Sequence, residues 1–261
     1  MAKVRIANGQ TIGLMEAGAS ERAPLVFLHG VGSDKSVWAR QVAHFSAQRR
    51  AIAFDYPGYG ESSFLAGATR DDFGAAILAA MTALDIDRAH VCGLSLGGVV
   101  AIAMHAAAPD RCASLILADT FAVHTDGAGI TERSIAASHS GPMRDFAEAR
   151  ADFLLAQPAV PAVRREVVET MSKIDPAAYW IAVEAVWMAD QRTRAAAIRC
   201  PTLVLCGTED RPTPPGLSAA LAALIPGSRI ALIPEAGHLT NLEKPAEFNA
   251  ALDDFLAEIE P

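Results

Sequence analysis

Short apolar runs alternate with longer stretches of helical spacing along this chain. Pro24–Leu28 is continuously apolar and reads as a buried strand. Arg50–Phe54, Ala89–Cys92, Ser114–Ala118, Thr202–Cys206 and Arg229–Ile233 read as further strands. Helical patterns lie between them, over Ser36–Gln48, Thr69–Leu84, Pro214–Ile225 and Ala246–Ile259, with another opening at Gly98. Thr69 is placed as an N-cap, with Asp72 in the capping-box position. At the start of the chain, Lys3–Ala7 and Thr11–Glu16 alternate around Asn8-Gly9 and predict a hairpin. Strands that alternate with helices predict an α/β fold, a mostly parallel sheet covered on both faces.

One segment breaks the alternation. Between Phe121 and about Arg199 no strand pattern is found; the segment is rich in alanine and charge, and Gly141-Pro142, Pro158 and Pro161 punctuate it. Because strands resume after it, we expect a core domain of residues 1–120 and 200–261 and an inserted helical cap of residues 121–199. A separate helical domain is the alternative.

Composition narrows the function classes. Of 261 residues, 51% are hydrophobic and 20% charged, which suits a substantial core and argues against wholesale disorder. A net charge of −8 and no basic stripe argue against a nucleic-acid partner. The first residues show no apolar leader. The longest apolar stretch, around residues 96 to 108, is broken by Gly97, Gly98 and His105 and is too short to span a bilayer. Cys92, Cys112, Cys200 and Cys206 lack metal-ligand spacing and read as reduced thiols. A cytoplasmic location with no membrane partner is expected.

The chemistry starts at Gly93-Leu94-Ser95-Leu96-Gly97, a G-x-S-x-G between a strand and a small-residue helix. A nucleophile elbow needs this context: the turn strains the serine backbone, and bulk two residues either side would clash. A serine hydroxyl is a weak nucleophile and needs a base, oriented in turn by a third group. Downstream, Gly207-Thr208-Glu209-Asp210 and Glu235-Ala236-Gly237-His238 each follow a strand, at the sheet edge where Ser95 stands. Asp119 also follows a strand and is the competing acid; Glu209 adjoins Asp210. Asp55 is read as fixing the Pro57-Gly58-Tyr59-Gly60 turn. No phosphate loop and no metal-ligand spacing is found, and no cofactor is expected.

In their order, His29-Gly30, Asp55-x-x-Gly58-x-Gly60-x-Ser62, the Ser95 pentapeptide, Gly207-x-x-Asp210 and Gly237-His238 resemble an α/β-hydrolase over nearly the whole chain. The resemblance implies Ser95 as nucleophile, His238 as general base and then acid, and Asp210 as the orienting carboxylate. It implies an oxyanion hole from the N–H groups of Val31 and Leu96, with His29 shaping the loop beside it.

At finer grain, His29–Trp38, Leu117–Thr120 and Gly237–Glu243 are similar to 3-oxoadipate enol-lactonases and related bacterial carboxylesterases. The resemblance implies hydrolysis of a small ester or lactone. A carbon–carbon hydrolase and a silent ligand receptor are the alternatives, and the first usually continues its His-Gly differently from His29-Gly30-Val31-Gly32. Arg133 is a candidate for a substrate carboxylate, and His29, Trp38 and Trp187 are candidates for the substrate pocket, with core packing the competing role for the tryptophans.

Overall fold

The computed structural model describes residues 2–260. Eight strands form one sheet: β1 (Ala2–Arg5), β2 (Thr11–Ala17), β3 (Leu25–Leu28), β4 (Ala51–Phe54), β5 (Ala89–Leu94), β6 (Cys112–Ala118), β7 (Thr202–Gly207) and β8 (Arg229–Ile233). Their spatial order is β1-β2-β4-β3-β5-β6-β7-β8. The first two strands form the expected hairpin, and β2 runs antiparallel to β4; every later neighbour pair is parallel. Strands β3 to β7 are fully buried except for one residue of β6, because helices cover both faces. Parallel strands point their carboxyl ends one way, so the residues after β3, β4, β5, β6, β7 and β8 share one edge.

The helices of the sheet layers are α1 (Ala39–Phe45), α2 (Arg70–Ala83) and α3 (Leu96–Ala107). Five more, α4 (Gly127–His139), α5 (Met143–Leu154), α6 (Pro161–Met171), α7 (Pro176–Trp187) and α8 (Arg192–Ala196), lie between β6 and β7. The chain closes with α9 (Pro215–Leu224), α10 (Thr240–Glu243) and α11 (Pro245–Ile259). Thr69 caps α2 in a complete capping box with Asp72.

The expected helix from Ser36 is split. A 3-10 turn, Lys35–Trp38, precedes α1, and the break lets Trp38 turn into the core, where it stacks on Phe27 at 4.9 Å and meets Phe248 at 5.8 Å. The two ends of the segment between β6 and β7 are stitched together. Val123 and Asp190 form an isolated bridge, and the Gln191 amide donates to the Ala122 carbonyl at 2.7 Å. The Gln191 side chain donates to the Val99 carbonyl at 2.9 Å, anchoring the stitch to α3. Within the insertion α5 packs on α6 and α4 on α7, and α7 rests on α2 and α3. Arg40 on α1 holds Glu166 on α6 through two bonds, 2.9 and 2.7 Å.

Candidate active site

The turn after β5 places Ser95. Its backbone stands at φ 57° and ψ −115°, a strained conformation for a residue with a side chain. The strain is held by contacts on several sides: the Ser95 amide donates to Ala118 at 2.9 Å, and Thr120 Oγ1 donates to the Ser95 carbonyl at 2.8 Å. A Cβ at Gly93 would overlap the Gly97 carbonyl, and one at Gly97 would overlap the Leu28 carbonyl, so both flanking glycines are sterically required. α3 begins at the next residue, and the Leu96 N–H has no hydrogen-bond partner among the described residues.

The loops after β7 and β8 bring in the other two groups. His238 Nδ1 lies 3.1 and 2.9 Å from the two oxygens of Asp210. A carboxylate acceptor puts the ring proton on Nδ1 and leaves Nε2 with its lone pair. Asp210 is fixed in turn by Thr213, whose amide donates at 2.8 Å and whose hydroxyl donates at 2.6 Å. Ser95, Asp210 and His238 are all buried, and Ser95 and His238 line one narrow cavity of about 30 Å³ together with Val31 and Trp187. The serine hydroxyl and the imidazole are not hydrogen-bonded to each other in this structure. Such contacts commonly tighten only when substrate is bound.

Val31 sits on the loop after β3. Tyr59 donates its hydroxyl to the Val31 carbonyl at 2.9 Å, while the Val31 N–H has no partner among the described residues. The loop is further set by His29, whose Nδ1 meets the Gly30 carbonyl at 2.8 Å and whose ring lies between Tyr56 and Tyr59. His29 is fully buried beneath the loop and does not line the serine cavity, so the expectation that it contacts substrate is corrected in favour of loop shaping. Burial holds its imidazole below the usual histidine value, against the pull of Asp55. Asp55 is buried under the same turn, accepting from the Lys35 amide at 2.8 Å and its ammonium at 2.6 Å.

Two other expectations are corrected. Trp38 is a core residue with no exposure and does not line the serine cavity; its ring packs between Phe27 of β3 and Phe248 of α11. Arg133 is largely exposed on α4 and paired with Asp126 at 2.6 Å; it does not line the serine cavity. Trp187 does, stacked on Phe121 at 5.4 Å.

Asp119, the competing acid, is buried beside Asp210 but bonds elsewhere: it accepts from the Gly207 amide at 2.9 Å and from the Thr240 hydroxyl. Burial and the adjacent Asp210 charge push its carboxyl well above the usual range, against those two bonds. Asp119, Cys206 and Asp210 bring donor atoms within 4.8 Å of one another. Their lone pairs are committed to Gly207, Thr240, Thr213 and His238, and burial pushes the Cys206 thiol far up, so the trio is poorly suited to a cation.

Sequence reasoning missed the residues that hold the histidine loop. Glu243 accepts from the Gly237 and Leu239 amides, at 3.0 and 3.2 Å, on either side of His238. Its other oxygen accepts from the Ala156 amide at 2.8 Å, and the His238 amide donates to the Leu154 carbonyl at 2.7 Å. The histidine loop is therefore bonded directly to the end of α5. Glu243 stood in a quoted motif, but only the fold shows what its oxygens meet. Arg150, Met171 and Tyr179 also line the serine cavity, and no local motif marks them.

The alpha/beta hydrolase fold family model matches residues 23–245. The 3-oxoadipate enol-lactonase 1 of Acinetobacter baylyi is 26% identical over 264 residues, spanning 97% of this chain and 96% of that protein. The crystal structure of the enol-lactonase from Burkholderia xenovorans LB400 superposes with a TM-score of 0.91 at 29% identity, over 98% of this chain and 100% of that one. A thermophilic esterase from Thermogutta terrifontis superposes at 0.90 with 27% identity, over 100% of this chain and 99% of that one.

Proposed function

The chain belongs to the alpha/beta hydrolase fold family, and on that premise we propose that it is a serine hydrolase of small carboxylic esters or lactones, working through an acyl-enzyme on Ser95. The observation that carries the reading is the His238–Asp210 pair, bonded through Nδ1 and facing the cavity that Ser95 also lines. Names given to similar proteins, enol-lactonase and esterase, agree with the substrate class.

The geometry supports the following roles. His238 Nε2 takes the proton of the Ser95 hydroxyl as its oxygen bonds to the substrate carbonyl carbon. The carbonyl π electrons move to oxygen, and the Val31 and Leu96 N–H groups receive that charge; one such donor is worth about 3 kcal/mol to the transition state. His238 then returns the proton to the departing alkoxide as the carbon–oxygen bond breaks. Water repeats the sequence, giving its proton to His238 and releasing the acid and the serine. Asp210 holds the imidazole through Nδ1 and stabilises the imidazolium at both stages. The segment of α4 to α8 serves as a cap: Arg150, Leu154, Met171, Tyr179 and Trp187 wall the cavity from that side.

The test is turnover of p-nitrophenyl acetate. Wild type should hydrolyse it, while Ser95→Ala and His238→Ala should each lose more than ~10³-fold in kcat with circular dichroism unchanged. Activity that survives in Ser95→Ala would overturn the reading.

A further inference from the structure

Both amides proposed for the oxyanion hole sit on peptides whose carbonyl ends are held by buried side chains. A trans peptide is planar, with its N–H and C=O pointing opposite ways, so pinning the carbonyl sets the direction of the N–H. The Val31 N–H shares its peptide with the Gly30 carbonyl, which His29 Nδ1 meets at 2.8 Å and the Ser33 amide at 3.3 Å. The Leu96 N–H shares its peptide with the Ser95 carbonyl. That carbonyl accepts from the Gly98 and Val99 amides at 3.0 and 3.3 Å and from Thr120 Oγ1 at 2.8 Å. The two amides are the opening bonds of α3. The Thr120 hydroxyl is the shortest of the three contacts, and it comes from outside the helix.

Thr120 is placed to reach that carbonyl. It lies just beyond β6 and is fully buried. A Cβ at Gly98 would overlap Thr120 Cβ, Cγ2 and Oγ1, so the glycine that follows the serine pentapeptide leaves the space that Thr120 fills. The Thr120 carbonyl accepts from the Ser218 hydroxyl of α9 at 3.4 Å, and its neighbour Asp119 accepts from the Gly207 amide at 2.9 Å. The Thr120 hydroxyl therefore ties the elbow peptide to the rim after β6, whereas the two amides tie it to its own helix. A carbonyl that accepts a further hydrogen bond polarises its peptide, and the N–H at the other end becomes a stronger donor.

Building on the serine-hydrolase reading, we propose that Thr120 is a positioning residue of the reaction: its hydroxyl holds and polarises the Ser95–Leu96 peptide, so that the Leu96 N–H meets the substrate carbonyl oxygen as that oxygen gains charge. Thr120 does not line the serine cavity and acts through this one peptide. Its effect is felt where the oxygen carries most charge, in the transition state, and little in ground-state binding. The two donors of the oxyanion hole are thus set by side chains from different loops, His29 for Val31 and Thr120 for Leu96.

The experiment compares wild type with Thr120→Ser, Thr120→Ala and Thr120→Val on p-nitrophenyl acetate. Serine and alanine both lack the γ-methyl group, so that pair differs in the hydroxyl alone. Thr120→Ala and Thr120→Val should each lose about fivefold to tenfold in kcat, the scale of one hydrogen bond, with KM changed by less than about twofold. Thr120→Ser should keep most of the wild-type rate. Affinity for trifluoroacetone, which adds to a serine as a tetrahedral oxyanion, should fall by the same factor as kcat. Should one hydroxyl-free variant fail to fold, the other still stands against Thr120→Ser. Failure of both, with Thr120→Ser folded, would make the hydroxyl a matter of stability and overturn the proposal. Equal kcat in the serine and alanine variants, or a loss confined to KM or to melting temperature, overturns it too and leaves the serine mechanism intact. If wild type cleaves no ester and Ser95 resists a fluorophosphonate, the serine reading itself fails, and this inference with it.

Discussion

Ser95, the proposed nucleophile, is held in a strained backbone conformation. A left-handed φ on a residue with a side chain costs on the order of 1–3 kcal/mol, and the contacts from Ala118 and Thr120 keep it in place. Asp210 and Asp119 separate the roles of two neighbouring carboxylates, because only Asp210 touches the imidazole. Asp210→Asn should lower kcat on a short ester by about 10⁴-fold, the effect of losing the orienting carboxylate, whereas Asp119→Asn should cost far less in kcat and more in melting temperature. The reverse order would assign the acid to Asp119. Glu243 acts through the loop rather than on substrate. Burial pushes its carboxyl up, against the bonds from Ala156, Gly237 and Leu239. A glutamine there turns an NH₂ group toward at least one of those amides, so Glu243→Gln should reduce kcat about tenfold, with KM little changed, by loosening His238. A kcat equal to wild type would make Glu243 a matter of stability alone.

Among the elements, Trp38 gives the sharpest stability prediction. Its ring is packed between Phe27 and Phe248, so Trp38→Ala should lower unfolding free energy by about 3–5 kcal/mol in urea titration, with the ester preference unchanged. A shifted preference with little loss of stability would return it to the pocket. The same residue explains a limit of sequence reading. The spacing through Ser36–Gln48 is helical, but a tryptophan that must face the sheet forces a 3-10 turn, and that demand comes from tertiary packing. The strands were legible because burial on both faces requires consecutive apolar residues. The turn Thr240–Glu243 was not, since four residues hold too little periodicity. Within the insertion, Arg133 and Arg150 look alike in sequence; in the fold Arg133 pairs with Asp126 and stays off the serine cavity, whereas Arg150 lines it.

At the scale of the whole molecule, the strand order gathers four loops from distant sequence at one rim, which is why G-x-S-x-G, Gly207-x-x-Asp210 and Gly237-His238 were informative together. The same closure ties the far end of the chain to the sheet. Arg49, buried on the segment before β4, donates to both oxygens of Glu260 at 3.1 and 2.6 Å, and His90 on β5 meets it at 2.6 Å. Burial pushes the Glu260 carboxyl up, yet these bonds outweigh it and bring the group to about 2 from an ordinary 4.5. Its contribution is therefore present above about 4.5 and is lost as pH falls toward 2. Melting temperatures taken across that window should fall less steeply for Glu260→Gln than for wild type; parallel curves would deny Glu260 a part in acid unfolding. The central claim, that Ser95 is made nucleophilic by His238 and Asp210, is tested most directly by mapping the site and rate of fluorophosphonate labelling. We expect one adduct, on Ser95, formed rapidly in wild type and more than ~10²-fold slower in His238→Ala. Labelling at another residue, or at Ser95 with equal speed when the imidazole is gone, would contradict it.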